Sequence, residues 1–319
     1  MKVKRKQIDK NVRMKAYLSS LIIRPSVRSF KTLQKISERF IGNNIEGMFN
    51  DQIAIKSLNK GPDIRTRIIR PLNCDKKLPG VLYLHGGGYA FGEPEQDYSY
   101  IEELMKVRDC VVVAPSYRNS LKEPFPAAFN DAWDTLMYMK EHAHELGIRS
   151  DQLIVYGTSA GGGLAAALCL RARDTHKVNI AFQMPLYAML DSTLSTQSMK
   201  DNNAPIWNEK LSVSAWGLYL KGIEKNSVSK YASPYLETNY SGLPPAFSFT
   251  GEFDPFKDEN QTYMDRLEKA GVPAKFKIFK GGCHGFEVFT KKGEIAQQAI
   301  KFTHECFAYG IDNYFNSQD

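Results

Sequence analysis

The chain has 319 residues, 43% of them hydrophobic and 24% charged. That is an ordinary globular composition with room for one large α/β domain. Its five cysteines (Cys74, Cys110, Cys169, Cys283 and Cys306) are odd in number and make no C-x-x-C pair, which speaks against a disulfide framework or zinc site and for a reducing, cytoplasmic setting. The net charge of +7 sits at one end: residues 1–31 hold ten basic side chains and one acid, Asp9, while the other 288 hold 32 basic and 34 acidic. The near-neutral body gives no reason to expect a nucleic-acid partner.

Met14, Tyr17, Leu18 and Leu21 recur at helical spacing. The apolar stretch around them, Ala16–Ile23, is short, meets Arg24-Pro25 at once and shows no cleavage signature. An amphipathic helix that stays on the mature protein and packs onto the body is therefore expected, with attachment to a membrane surface as the alternative. Val27, Phe30, Leu33, Ile36 and Phe40 predict a second such helix. "DQIAIKSL" and "DIRTRIIR" flank "NKGPD", the signature of a hairpin.

A different rhythm follows. Apolar runs at Val81–Leu84, Cys110–Ala114, Leu153–Tyr156, Ile180–Pro185, Ala246–Phe249 and Phe276–Phe279 read as buried strands. Helical patterns lie between many of them, at Tyr98–Lys106, Ala127–Leu146, Ala160–Arg173, Glu259–Ala270 and Gly293–Phe315. Such alternation predicts a doubly wound, mostly parallel sheet. The uncharged stretch Leu153–Leu170 could pass for a membrane span, but its four glycines and change of pattern divide it into strand, turn and helix. One insertion, rich in Trp and Tyr and helical in pattern, lies where a lid over the strand ends would emerge.

Gly157-Thr158-Ser159-Ala160-Gly161 is a G-x-S-x-G match with an apolar strand before it and a helix-forming run after it. In that context the serine is presented at the apex of a sharp turn, beside the free N–H groups of a helix N-terminus. A serine nucleophile needs a base, and the base needs an orienting acid. His284 lies in the glycine loop "KGGCHGF" after the last strand, whereas His176 and His304 fall in a polar turn and a helical pattern. For the acid, Asp254 precedes Pro255, which keeps its backbone out of the following helix. Glu252 and Asp258 are the alternatives, and Asp258 with Glu259 suits a helix start. The oxyanion formed on attack needs fixed N–H donors. "HGGG", His85–Gly88, offers Gly86, Gly87 and Gly88, and the turn offers Ala160.

Taken together, "LHGGGYAFG", "SYRNSLKEPFPAAF", "VYGTSAGGGLAAALCL", "YASPY", "LPPAFSFTGEFDPFKDE" and "GGCHGF" resemble, in order, the hormone-sensitive-lipase family of α/β-hydrolases. The resemblance implies an eight-stranded α/β-hydrolase sheet with a helical cap and hydrolysis of short-chain esters without metal or cofactor. It implies one domain over 1–319, with a core of 49–187 and 236–319 and a cap from 1–48 and 188–235. Ser116 stands where the family usually has an acid before "YR".

Tyr89, Trp207 and Trp216 are candidates for the substrate pocket. "EHAHE" (Glu141–Glu145) reads as a solvated helix face rather than a metal cluster, because His142 and His144 are two apart. Cys283 beside His284 is the weaker nucleophile candidate. The expected partner is a small-molecule ester and not a nucleic acid, with membrane-surface contact kept only as the alternative; a homodimer stays open. A silent small-molecule receptor of the same fold, or an acyltransferase or amidase, is the alternative function; receptors of this type usually lack the histidine that His284 supplies.

Overall fold

The structure, a computed structural model, describes every residue except Thr290, Lys292 and Asp319, and all side chains of the remainder but that of Phe289. Eight strands form one sheet: β1 (Met48–Ile55), β2 (Ile64–Pro71), β3 (Leu78–Leu84), β4 (Val111–Pro115), β5 (Ile148–Thr158), β6 (Phe182–Leu186), β7 (Ala246–Gly251) and β8 (Ala274–Phe279). Their order is β1-β2-β4-β3-β5-β6-β7-β8. The β1–β2 and β2–β4 pairs are antiparallel and the rest parallel, as the alternation of apolar runs and helical patterns predicts.

The helices are α1 (Lys10–Ser19), α2 (Val27–Ser37), α3 (Tyr98–Val107), α4 (Ala127–Glu141), α5 (Ala160–Thr175), α6 (Glu209–Tyr219), α7 (Lys257–Lys269), α8 (Phe286–Phe289) and α9 (Glu294–Asn313). Alternation along each strand sends successive side chains to opposite faces. Leu82, Leu84, Val113 and Val155 pack into one core with α4, α5 and α7. Val81, Tyr83, Val112 and Tyr156 pack into a second with α3, α9 and α1. Because both faces are covered, β4 is buried at every residue, which explains its unbroken apolar sequence. The edge strand β8 instead alternates, with Lys275 and Lys277 on it, a pattern that discourages pairing with another sheet.

The chain leaves β3 toward β4 on one side and then returns to β5 on the other, so the strand order reverses at β3. A crevice opens at the carboxyl ends of strands at such a point. The loops after β3, β5, β7 and β8 all emerge on that edge.

Four expectations need correction. First, the N-terminal segment turns Ile8 and, in α1, Val12 and Ala16 to the body, all fully buried; of the expected face only Tyr17 packs there, half-buried, while Met14, Leu18 and Leu21 are exposed. The small Ala16 and compact Val12 permit closer approach than the larger residues would, and Asp9 N–H anchors the start on Gly281 O at 2.9 Å. Second, α2 buries Phe30 and sets the half-buried Leu33 against the same core, but its buried neighbours Gln34 and Ser37 are polar. Gln34 accepts from the Gly92 N–H at 2.9 Å and donates to Glu93 at 2.9 Å, while Val27, Ile36 and Phe40 face outward. Third, α4 stops at Glu141, with His142 as its C-cap. The "EHAHE" segment is thus mostly turn; His142 pairs with Glu145, and no group of three metal-ligating side chains exists among the described residues. Fourth, only Glu209–Tyr219 of the aromatic insertion is a long helix, begun by Asn208, whose side chain accepts from the Leu211 N–H.

The Leu153–Leu170 stretch divides at Ser159 into β5 and α5. Among the described residues no helix is long and apolar enough to cross a membrane.

Candidate active site

Ser159 stands between β5 and α5 with φ 56° and ψ −119°. A non-glycine residue holds such angles only where its surroundings force them. The forcing here is close packing: a Cβ on Gly161 would lie 2.0 Å from Leu84 O, so only glycine lets α5 start against the end of β3. The turn lifts Ser159 Oγ to 2.9 Å from His284 Nε2. On the far side of the ring, His284 Nδ1 lies 2.8 Å from Asp254 Oδ2. The carboxylate can only accept, so Nδ1 carries the proton and Nε2 is left to accept from the serine hydroxyl. Asp254 is fully buried and Ser159 and His284 nearly so.

Asp254 is itself fixed by the Phe256 N–H, which donates to Oδ1 at 2.9 Å. The other acids have different duties. Glu252 accepts from the Gly281 N–H, which ties the β7 loop to the loop bearing His284. Asp258 accepts from the Ser198 N–H. Glu259 does not merely open α7: it is buried and accepts from the Leu190 N–H at 2.6 Å. Burial pushes its carboxyl well above the ordinary range, helped by the nearby Asp191 charge.

Two aromatic edges hold the imidazole. Tyr187 and Phe256 meet the His284 ring at 83° and 88°, with centroids 5.2 and 5.1 Å away. Trp207 lies 6.2 Å from the same ring and stacks on Phe30 of α2. Trp207 also covers Gly88 so closely that a Cβ there would lie 2.3 Å from it. Of the other pocket candidates, Tyr89 stacks on Tyr219 at 3.9 Å and tilts against Trp216 at 5.4 Å. The Tyr89 hydroxyl donates to Met189 O. Burial pushes the Cys283 thiol far up, with Asp254 adding to the effect, so little thiolate forms there.

In the loop after β3, the Gly87 and Gly88 N–H groups have no hydrogen-bond acceptor among the described residues, and Ala160 N–H is a first-turn donor that helix geometry leaves unused. Gly86 lies closest to Ser159, where an added Cβ would be 3.5 Å from Ser159 Cβ, but its amide faces the Asp97 carboxylate. The loop is braced from below. His85 stacks on Tyr117 at 4.1 Å and donates from Nδ1 to Gly86 O; burial lowers its pKa and keeps it neutral. Ser116 donates to Glu93, which also holds Arg65. Burial alone would raise Glu93, but these two partners bring its carboxyl below the ordinary value. Sequence reasoning missed Tyr187, Phe256, Asp97 and Gln34. Phe256 had a local signal, two residues after Asp254; the others come from elements distant in the chain.

Burial raises the Asp97 carboxyl to about 7, against the hydrogen bonds from Gly86, Tyr83 and Gln96. The folded state therefore holds a proton that the unfolded chain releases at lower pH. The stability this group contributes is full below the unfolded value of 3.8 and is lost as pH rises through about 7. Asp97→Asn is expected to gain on the wild type, in urea midpoint, between pH 4 and pH 8. Equal differences at both values would remove Asp97 from the account.

The profile of the α/β-hydrolase fold matches residues 81–288, and the chain belongs to that family. It is 32% identical over 229 residues to esterase LipI of Mycobacterium tuberculosis, with 71% of each chain covered. To an arylesterase of Saccharolobus solfataricus it is 31% identical, covering 65% of this chain and 67% of the relative. Among solved structures, a bacterial heroin esterase superposes with a TM-score of 0.88 at 28% identity over 96% of this chain and 98% of the other. The chain is accordingly an ester-hydrolysing enzyme.

Proposed function

We propose that this enzyme is a serine carboxylesterase of the hormone-sensitive-lipase branch, cleaving short-chain carboxylic esters in a reducing, cytoplasmic compartment. The unbroken Ser159–His284–Asp254 relay, with hydrogen bonds of 2.9 and 2.8 Å, carries the reading. His284 Nε2 takes the hydroxyl proton as Ser159 Oγ bonds to the ester carbonyl carbon. Asp254 stabilises the imidazolium, and the N–H groups of Gly87, Gly88 and Ala160 receive the oxyanion. The tetrahedral species collapses, the ester C–O bond breaks, and the alcohol leaves with the proton from His284. Water, losing a proton to the same nitrogen, then attacks the acyl carbon; the bond to Ser159 Oγ breaks as His284 returns that proton to it, and the acid is freed. Residues 1–48 and 188–235 act as a cap; supporting this, Phe30 and Trp207 stack across them. The aromatic enclosure favours small acyl groups. Acetyl and butyryl p-nitrophenyl esters should outrun decanoyl in kcat/KM, and the reverse order would reject the short-chain assignment. Free cysteines, four of them buried, suit the compartment.

Gly87→Ala tests the oxyanion assignment. Gly87 has φ +131°, and a Cβ would lie 1.8 Å from Phe91 O, so the backbone must shift and carry its N–H away. Loss of one such donor costs about 10²–10³ in turnover. The expected result is a fall of that size in kcat with a smaller change in KM. A variant that only melted earlier, with kcat intact, would make this loop a structural turn.

A further inference from the structure

The outward side of α1 and α2 combines two features. The first is apolar. Met14, Leu18, Leu21 and Ile22 are 64, 56, 62 and 56% exposed. They follow one face at i, i+4, i+7 and i+8, and the Ile23 N–H to Ser19 O bond carries the helical turn on past Ser19. Val27 and Phe40 of the neighbouring segment are exposed as well.

The second feature is charge. Residues 1–31 carry ten cations against Asp9, and among the described residues none of the ten is in an ion pair, whereas Arg65, Arg67, Arg108, Arg118, Arg149 and Arg173 of the body each hold a carboxylate. Lys10, Lys15, Arg28 and Lys31 are exposed. Cations interleaved with large apolar side chains match a surface that is anionic outside and hydrocarbon beneath. A nucleic acid would use the charge and leave the apolar stripe in water. A second copy would bring the same ten cations into opposition.

We infer that the outer face of the N-terminal helices docks on an anionic phospholipid surface, with Met14, Leu18, Leu21 and Ile22 entering the interface and the flanking lysines and arginines meeting lipid phosphates. The docking rests on this surface and not on the triad. Phe30 of α2 stacks on Trp207, whose ring is 6.2 Å from that of His284, so the docked helices share a wall with the triad.

The test uses the full chain and vesicles of phosphatidylglycerol mixed with phosphatidylcholine, against phosphatidylcholine alone, read by co-sedimentation. Wild type should sediment with the anionic vesicles at about 0.01 M salt and be released at about 1 M, where the screening length falls from about 30 to about 3 Å. Met14→Gln/Leu18→Gln/Leu21→Gln/Ile22→Gln keeps the charge, and Lys10→Gln/Lys15→Gln/Arg28→Gln/Lys31→Gln keeps the apolar stripe. Each should weaken partitioning at least tenfold while hydrolysing a soluble acetyl ester in vesicle-free buffer as the wild type does, which also reports an intact fold. Three results would overturn the inference: wild type left in the supernatant at low salt; the apolar variant binding as well as wild type, which marks mere polyanion adsorption; or a wild-type dimer that the apolar variant splits, which assigns the face to a second copy.

Discussion

Ser159→Ala is expected to lower ester hydrolysis by at least about 10³ without disturbing the fold, since triad members act together and their loss leaves only the contribution of the oxyanion site and binding. The substitution removes one oxygen at a residue whose backbone is already fixed by α5 and β5, so the melting temperature should hold or rise slightly as strain at φ 56° is felt by a smaller side chain. Adding His284→Ala should cost little further, because with no hydroxyl to activate the base has nothing left to do. Initial rates on a p-nitrophenyl acetate substrate, with circular dichroism for the fold, decide it. A Ser159→Ala protein retaining a tenth of wild-type turnover would move the nucleophile elsewhere.

Asp254→Asn should cost about 10⁴ in kcat. The amide would keep the shape of the site and could still accept the Phe256 N–H at Oδ1. At the other position, its NH₂ would face His284 Nδ1 and demand an acceptor there, which puts the ring proton on Nε2 and closes the acceptor that Ser159 needs. Asp258→Asn is the control: Asp258 accepts from the Ser198 N–H and reaches neither triad ring nitrogen, so less than a tenfold change is expected. A larger loss from Asp258→Asn than from Asp254→Asn would reassign the acid.

The residues that the structure gathers at the crevice were legible because their places leave few choices. A turn that ends a buried strand and starts a buried helix within one residue needs glycine at Gly161, and that compositional mark frames Ser159. Pro255 marks the extended backbone at Asp254, and paired glycines mark the loop of His284. What was illegible depended on which surfaces meet. Spacing places Met14, Leu18 and Leu21 on one side of α1, and size makes them look like the inward side. The body instead accepts Val12 and Ala16, and only the shape of the opposing surface says so. In α2, Gln34 looks like a solvated residue until Gly92, Glu93 and Asn119 are brought against it. Tyr187 and Phe256 reach His284 from the ends of β6 and β7, a convergence set by strand order.

Met189 bonds to both Tyr89 and Ser159. Its carbonyl accepts from the Tyr89 hydroxyl and its N–H donates to Ser159 O at 3.0 Å. Tyr89 follows Gly88 directly, so the glycine loop after β3 and the turn of Ser159 are both tied to one peptide segment. A displacement of that segment would carry both halves along and leave their separation nearly unchanged. A gauge held from one clamp keeps its setting on a moving bench. If the outer helices dock as proposed, such common mounting would isolate the spacing between Ser159 and the Gly87–Gly88 amides from forces applied there.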